Sequence, residues 1–127
     1  MIQKGTLFKV VDNSGAKKAC CIHVCGGYRK RYGNIGDFII VSVKSLRTQR
    51  RDTSKVKKGD VSKALIIRTK NYRFSYSNEN SSFLENSIVL LNNQNKLLGT
   101  RLFGPIHKEF RFTKHLRLIS LAAGVIK

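Results

Sequence analysis

Negative charge is scarce in this chain. Seven acidic residues stand against 25 lysines and arginines, for a formal net charge of +18. The acids, Asp12, Asp37, Asp52, Asp60, Glu79, Glu85 and Glu109, fall singly along the sequence. General acid–base chemistry needs groups poised together, and this spacing offers no such pair. A phosphate-cradling GxxxxGK loop, an HExxH helix and a GxSxG turn are also missing. No catalytic residue and no cofactor is therefore expected, and the chain reads as a binding protein rather than an enzyme. No apolar run approaches the ~18 residues of a membrane span, so no membrane partner is expected. The opening residues, MIQKGTLFKVVD, lack a signal-peptide core and an Arg/Ser-rich amphipathic presequence. The expectation is a protein that works in the compartment where it is made.

Cysteine is equally sparse. Cys20, Cys21 and Cys25 are an odd, clustered set and do not form a secreted disulfide framework. On a strand from Ala19 to Cys25, Cys20, Ile22 and Val24 share one face and Cys21, His23 and Cys25 the other. Cys21 and Cys25 then stand ~13 Å apart at ~3.3 Å per residue. That is too far for a single zinc ion with Zn–S bonds of about 2.3 Å. No metal site is expected, and the thiols read as small hydrophobes.

What the chain does have is a strong central segment. Lys55 to Lys70 (KVKKGDVSKALIIRTK) begins basic, turns at Gly59-Asp60, then runs apolar through Ala64-Leu65-Ile66-Ile67 before Arg68 and Lys70 close it. A β-branched apolar run of that length is a strand buried in its middle. Cations at both ends suggest a compact β domain with positive charge at its rims, where a polyanion could lie. At 127 residues the chain has the size of one domain, able to bury roughly two thirds of the surface it exposes unfolded.

Other strands follow from the same reasoning. Thr6 to Val11 precedes the turn formers Asp12-Asn13-Ser14-Gly15, and Ala19 to Cys25 precedes Gly26-Gly27. Tyr28 to Tyr32 (YRKRY) places three cations between two aromatics. It reads either as an RNA-facing loop, with phosphate contacts and stacked bases, or as a solvated loop whose tyrosines pack locally. Phe38 to Lys44 is a core strand. Ser45 to Ser54 is a polar, cationic stretch read as a flexible loop. Tyr72 to Tyr76 suggests one limb of a projecting hairpin with a turn at Ser77-Asn78 and a return limb from Phe83. Asn86 to Leu91 is a fifth apolar strand. Pro105, the only proline, suits the first position of a short helix containing Glu109, and Thr113 suits the cap of a second running through Ala123, with Gly124 just past its end. His23 reads as a surface or packed histidine, and His107 and His115, flanked by cations, as facing phosphate or solvent.

Several blocks resemble the universal large-subunit ribosomal protein fourteen family in their order and composition. They are MIQ at the start, DNSGAK from Asp12, CIHVCGG from Cys21, RYGNIGD from Arg31, VKKGDV from Val56, IIRTK from Ile66, VLLNN from Val89 and GTRLFGP from Gly99. The resemblance implies an all-β fold, a small closed five-stranded β-barrel with a projecting β-hairpin ribbon and short C-terminal helices. One domain is expected over 1–127, with the barrel about 1–98, the ribbon about 70–84, and the C-terminal loop and helices about 99–127. The implied role is a structural constituent of the large ribosomal subunit that binds large-subunit rRNA, packs against neighbouring ribosomal proteins and meets small-subunit rRNA at an intersubunit bridge. In bacteria and organelles the family also offers a surface to a ribosome silencing factor.

The departures are specific. Asn78 stands where the family has a glycine at its ribbon turn, and Tyr72 to Ser82 has lost ribbon cations and gained aromatics. The Ser45 to Lys55 loop is longer than in bacterial members, and SLAAGV from Ser120 replaces the family's SLAPEV. The asparagine- and lysine-rich divergence, without a presequence, points to a mitochondrial ribosome, with the bacterial cytoplasm as the alternative. The candidate rRNA contacts are Lys17, Lys18, Arg29, Lys30, Arg31, Lys44, Arg47, Arg50, Arg51, Lys57, Lys58, Arg68, Lys70, Arg73, Arg101 and Lys108. The competing reading is a free-standing single-stranded RNA- or DNA-binding barrel that stacks bases on Tyr28, Tyr32, Tyr72, Phe74 and Tyr76.

Overall fold

The apolar run after Gly59-Asp60 becomes the most deeply buried strand. The computed structural model describes residues 2–48, 52–71, 73–74 and 80–126, with backbone alone for Arg73, Phe74, Asn80 and Ser81. In chain order the strands are β1 (Leu7–Val10), β2 (Ala16–Val24), β3 (Phe38–Leu46), β4 (Val61–Arg68), β5 (Arg73–Phe74), β6 (Asn80–Ser81), β7 (Ser87–Leu91), β8 (Pro105–His107) and β9 (Gly124–Ile126). A 3₁₀ helix at Lys108–Phe112 and a short helix α1 at Leu116–Leu121 separate the last two. Strands β1, β2, β3, β4 and β7 close into a barrel in that order, antiparallel except where β1 meets β7.

The alternation of β4 explains its unbroken hydrophobicity. Ala64 and Ile66 point into the barrel with Val10, Ala19, Val41, Ile88 and Leu90. Leu65 and Ile67 point outwards, yet are equally buried, because Val89, Leu91, Leu102, Ile106, Phe110 and Leu118 cover them. A strand covered on both faces needs apolar residues at every position. Each such side chain removed from water stabilises the fold by about 1.5–3 kcal/mol.

Strand β2 departs from simple alternation. Its register with β3 shifts between Cys21 and His23, and the extra residue of this bulge resets which side faces in. Cys21 and Val24 therefore both enter the core, while Ile22 is exposed with His23. The grouping of Cys20, Ile22 and Val24 on one face is corrected accordingly. Burial pushes the Cys21 thiol pKa up, and the neighbouring Cys20 and Cys25 add to the shift.

The C-terminal segment also differs from expectation. Pro105 does not open a helix: it starts β8, which pairs in parallel with β9 from Gly124. The helical turn begins after His107, which caps it by accepting the Glu109 N–H at Nδ1 (3.3 Å). Thr113 does not cap α1. Its hydroxyl donates to the Phe110 carbonyl at 3.0 Å and accepts the His115 N–H at 3.3 Å, which joins the two turns, and α1 ends at Leu121 rather than Ala123. His107 is 2% exposed, and His115 sets its ring edge-on to Phe38 at 5.3 Å. His107 therefore does not face solvent, whereas His115 is half-buried and borders a surface pocket with Lys114 and Arg117.

The hairpin is present, with β5 and β6 antiparallel and the return limb starting at Asn80 rather than Phe83. Its turn at Ser77-Asn78, and Tyr72 and Tyr76, lie outside the described residues, as do Arg50 and Arg51. The stretch read as a loop from Ser45 begins later: Ser45 and Leu46 extend β3 opposite Lys18 and Ala16, and the Arg47 N–H donates to the Gly15 carbonyl at 2.9 Å.

Candidate nucleic-acid interface

The barrel wall opposite the C-terminal segment is bare and basic. Register sets Lys9 of β1 directly against Lys18 of β2, both exposed, with Lys17 beside them. Like charges placed opposite one another repel and destabilise the pair. One carboxylate relieves this: Glu85 accepts from Lys9 Nζ at 3.0 Å. A groove runs on past Leu7 and Asn86 to Lys70, so that Lys9, Lys17, Lys18 and Lys70 border one surface. A row of neutral residues crosses the same wall, Leu7 opposite Cys20, Cys20 opposite Ser42 and Ser42 opposite Val61.

At one end of the barrel the turn before β4 presents Lys57 and Lys58, both exposed. Asp60 builds this turn by accepting the Lys57 N–H at 2.7 Å, and the Gly59 N–H donates to the Val43 carbonyl at 2.8 Å, next to Lys44. Arg101 is exposed just after Thr100, whose N–H donates to Asn13 Oδ1 at 2.7 Å while Asn13 Nδ2 donates to its hydroxyl at 2.8 Å. These bonds join the DNSG and GTR blocks. Beside them the buried Asp12 carboxylate accepts from the Ser14 N–H and hydroxyl and from the Leu90 N–H.

A second basic site lies in the loop after β2. The ends of this loop are tied down: Ile2 and Gly33 exchange backbone hydrogen bonds of 3.3 and 2.8 Å, and Asp37 takes Lys30 Nζ at 2.8 Å on one oxygen and the Asn34 N–H at 2.8 Å on the other. Lys30 lies across Gly26, whose φ of +123° admits no ordinary side chain; a Cβ there would meet Lys30 Nζ at 2.9 Å. Between loop and N-terminal segment is an open cleft of about 890 Å³, bordered by Gln3, Lys4, His23, Arg29, Arg31 and Tyr32 as well as Lys30. Tyr28 is outside it and fully exposed, with the Arg29 guanidinium 5.1 Å from its ring centre. Arg29 itself has φ +60°.

Two expected contacts are used inside the protein. Arg68 is 7% exposed and donates from Nη2 to the Phe103 carbonyl. Burial pushes its pKa down, opposed by Glu85. The chain crosses above it at Gly104, φ +86°, where a Cβ would stand 2.7 Å from Arg68 Nη1. Arg47 is half-buried, donating to the Val10 carbonyl at 3.2 Å and lying 4.9 Å over the Phe103 ring. The pair holds residues 103–104 onto the barrel. Lys108 is half-buried at the 3₁₀ helix. The Arg73 backbone belongs to the hairpin, and its side chain is outside the described residues.

Sequence reasoning missed Lys4 and Lys9. The signal for Lys9 was there: in β1, Leu7 and Lys9 alternate with the buried Phe8 and Val10, so Lys9 had to point outwards.

A closed barrel with a basic, mostly bare wall and helical turns packed on the other side has the form of a small RNA-binding protein. This chain belongs to the family described as Ribosomal protein L14p/L23e, which matches residues 1–126. It is accordingly a structural constituent of the large ribosomal subunit that binds large-subunit rRNA and packs with neighbouring ribosomal proteins, and it is not an enzyme.

Proposed function

We propose that the chain acts as one domain, binding rRNA mainly through phosphate contacts from its exposed cations: Lys17, Lys18 and Lys70 on the bare wall, Lys44, Lys57 and Lys58 at the barrel end, Arg29 and Arg31 in the 28–32 loop, and Arg101. The observation that carries this reading is the groove bordered by Lys9, Lys17, Lys18 and Lys70 with a single acid, Glu85, which already pairs with Lys9 and leaves the other three for phosphate. As the family resemblance implies, the protein also meets small-subunit rRNA at an intersubunit bridge. A surface for a ribosome silencing factor belongs to the same reading, and the ribosome is a mitochondrial one, with a bacterial ribosome as the alternative.

Sedimenting a native lysate of the source on a sucrose gradient, with and without magnesium chelation, tests this reading. The chain should travel with the large subunit and stay with it after the subunits separate. Remaining at the top of the gradient in both conditions would leave the free-standing single-strand-binding barrel as the better reading. Neutralising about six to ten phosphates also predicts that affinity for free RNA falls roughly 10³- to 10⁵-fold between 50 and 200 mM salt.

A further inference from the structure

The 28–32 cleft differs in kind from the basic wall. The wall is an outer sheet surface, suited to a phosphate backbone lying across it. The cleft has two sides, the N-terminal segment and the loop, and its volume of about 890 Å³ falls in the ~300–1,000 Å³ range of sites that enclose a small molecule. None of the residues bordering it is acidic.

Its cations are divided by their partners. Lys30 is paired to Asp37 and lies against Gly26, so it forms part of the floor. Lys4, Arg29 and Arg31 border the opening. Arg29 is held in the left-handed region, a conformation that a residue with a side chain adopts at a cost and that tends to cluster at functional positions. Tyr32, 42% exposed, is the largest aromatic ring among the residues bordering the cleft, with the His23 imidazole also on the border. An aromatic face beside cations is the combination that takes an RNA base with its phosphate. The bases of a continuous A-form helix cannot enter such a cleft, because side chains reach base faces only where a nucleotide is unstacked.

We propose that this cleft receives a single unstacked nucleotide of rRNA, with its base against Tyr32 and its phosphate held by Lys4, Arg29 and Arg31. This rests on the rRNA-binding reading and deepens it from a charged surface to a site for one nucleotide.

The test uses the full chain and two fluorescein-labelled RNA hairpins, identical except that one carries a single-nucleotide bulge in its stem. Fluorescence anisotropy at fixed salt should give tighter binding to the bulged hairpin by about 5- to 150-fold, the worth of stacking one base. Tyr32→Leu should abolish the preference, and Tyr32→Phe, which keeps the ring, should retain it. Circular dichroism and thermal melts that match the wild type serve as the folding control for both variants. Equal affinity of the wild-type chain for the two hairpins, or a preference that survives Tyr32→Leu, overturns the proposal. Failure of the chain to bind either hairpin in a salt-dependent way would instead count against phosphate-based RNA binding itself.

Discussion

The two sides of the barrel wall are built from neighbouring strands and have opposite fates. On β4 and β7 the outward residues Leu65, Ile67, Val89 and Leu91 are apolar and buried under the C-terminal segment. Around β1 and β2 the outward side carries Lys9, Lys17 and Lys18 and a neutral row that stays open, from Leu7 at 61% exposure through Cys20 and Ser42 to Val61 at the start of β4, at 64%. Strand β4 passes from one side to the other along its own length, with Val61 bare and Leu65 covered. Outward position alone therefore says little about a residue's role; what lies over it decides.

The sharpest way to break this comparison is to put the same charge at both ends of β4. Leu65→Asp should unfold the chain or strip off the C-terminal segment, because an unpaired carboxylate would be buried where several apolar side chains meet, a cost of several kcal/mol. Val61→Asp should shift stability by no more than about 0.5 kcal/mol. Chemical denaturation of both variants reads the difference, and similar losses would mean that the two regions are not distinct.

A smaller effect separates the two kinds of cation. Arg68→Ala removes a buried charge-assisted hydrogen bond to Phe103 and should cost about 1.5–3 kcal/mol. Lys17→Ala should leave stability within about 0.5 kcal/mol while lowering the slope of log affinity for RNA against log salt by about 0.9. Thermal melts with salt titrations measure both, and a stability loss in Lys17→Ala would erase the distinction.

Gly104→Ala tests the same junction from the other strand. Its φ of +86° and the 2.7 Å approach to Arg68 Nη1 predict a loss of about 1–3 kcal/mol. Combining it with Arg68→Ala should recover part of the steric share, which a double-mutant cycle would detect.

The smallest effect is a pH dependence at the covered side. Burial lowers the His115 pKa from 6.5, so the folded chain favours the neutral ring. The unfolded chain takes up the proton first on acidification. The contribution of His115 is whole above pH 6.5 and is lost as the pH falls through 6.5 towards the lowered folded pKa. Melts between pH 7.5 and 5.5 should show His115→Phe losing less stability than the wild type; equal losses would remove His115 as the cause.

Much of the fold was legible because burial writes itself into composition. The run Ala64 to Ile67, apolar at every position and of strand length, reads as a strand buried in its middle, and the structure covers it on both faces. The five barrel strands fall within a few residues of where alternation and turn formers put them. Several of the failures depended on residues distant in sequence, and others on which of several near neighbours a side chain takes, as where Thr113 bonds Phe110 and His115 instead of capping α1. The bulge between Cys21 and His23 is set by pairing with β3, so no local pattern in ACCIHVC foretells it. Pro105 looks like a helix start until the distant Gly124 supplies a parallel partner. Arg68 and Arg47 resemble any other basic residue until Phe103 folds back over them. Lys30 in YRKRY likewise looks as free as Arg29 and Arg31, and only the position of Asp37 separates it.

The parallel junction of β1 with β7 has a consequence for how the chain comes together. Lys9 pairs with Ser87, and the Leu90 N–H reaches Asp12 across 78 positions of sequence. Every other seam of the barrel joins strands closer together in the chain, so ring closure is the contact with the largest loop-closure cost and is expected last. A nascent chain that stops before residue 87 has a four-stranded open sheet, with the edges of β1 and β4 both unpaired. Such edges invite pairing between molecules. At this stage the surplus of lysine and arginine keeps unfinished chains apart by mutual repulsion, well before it meets any phosphate.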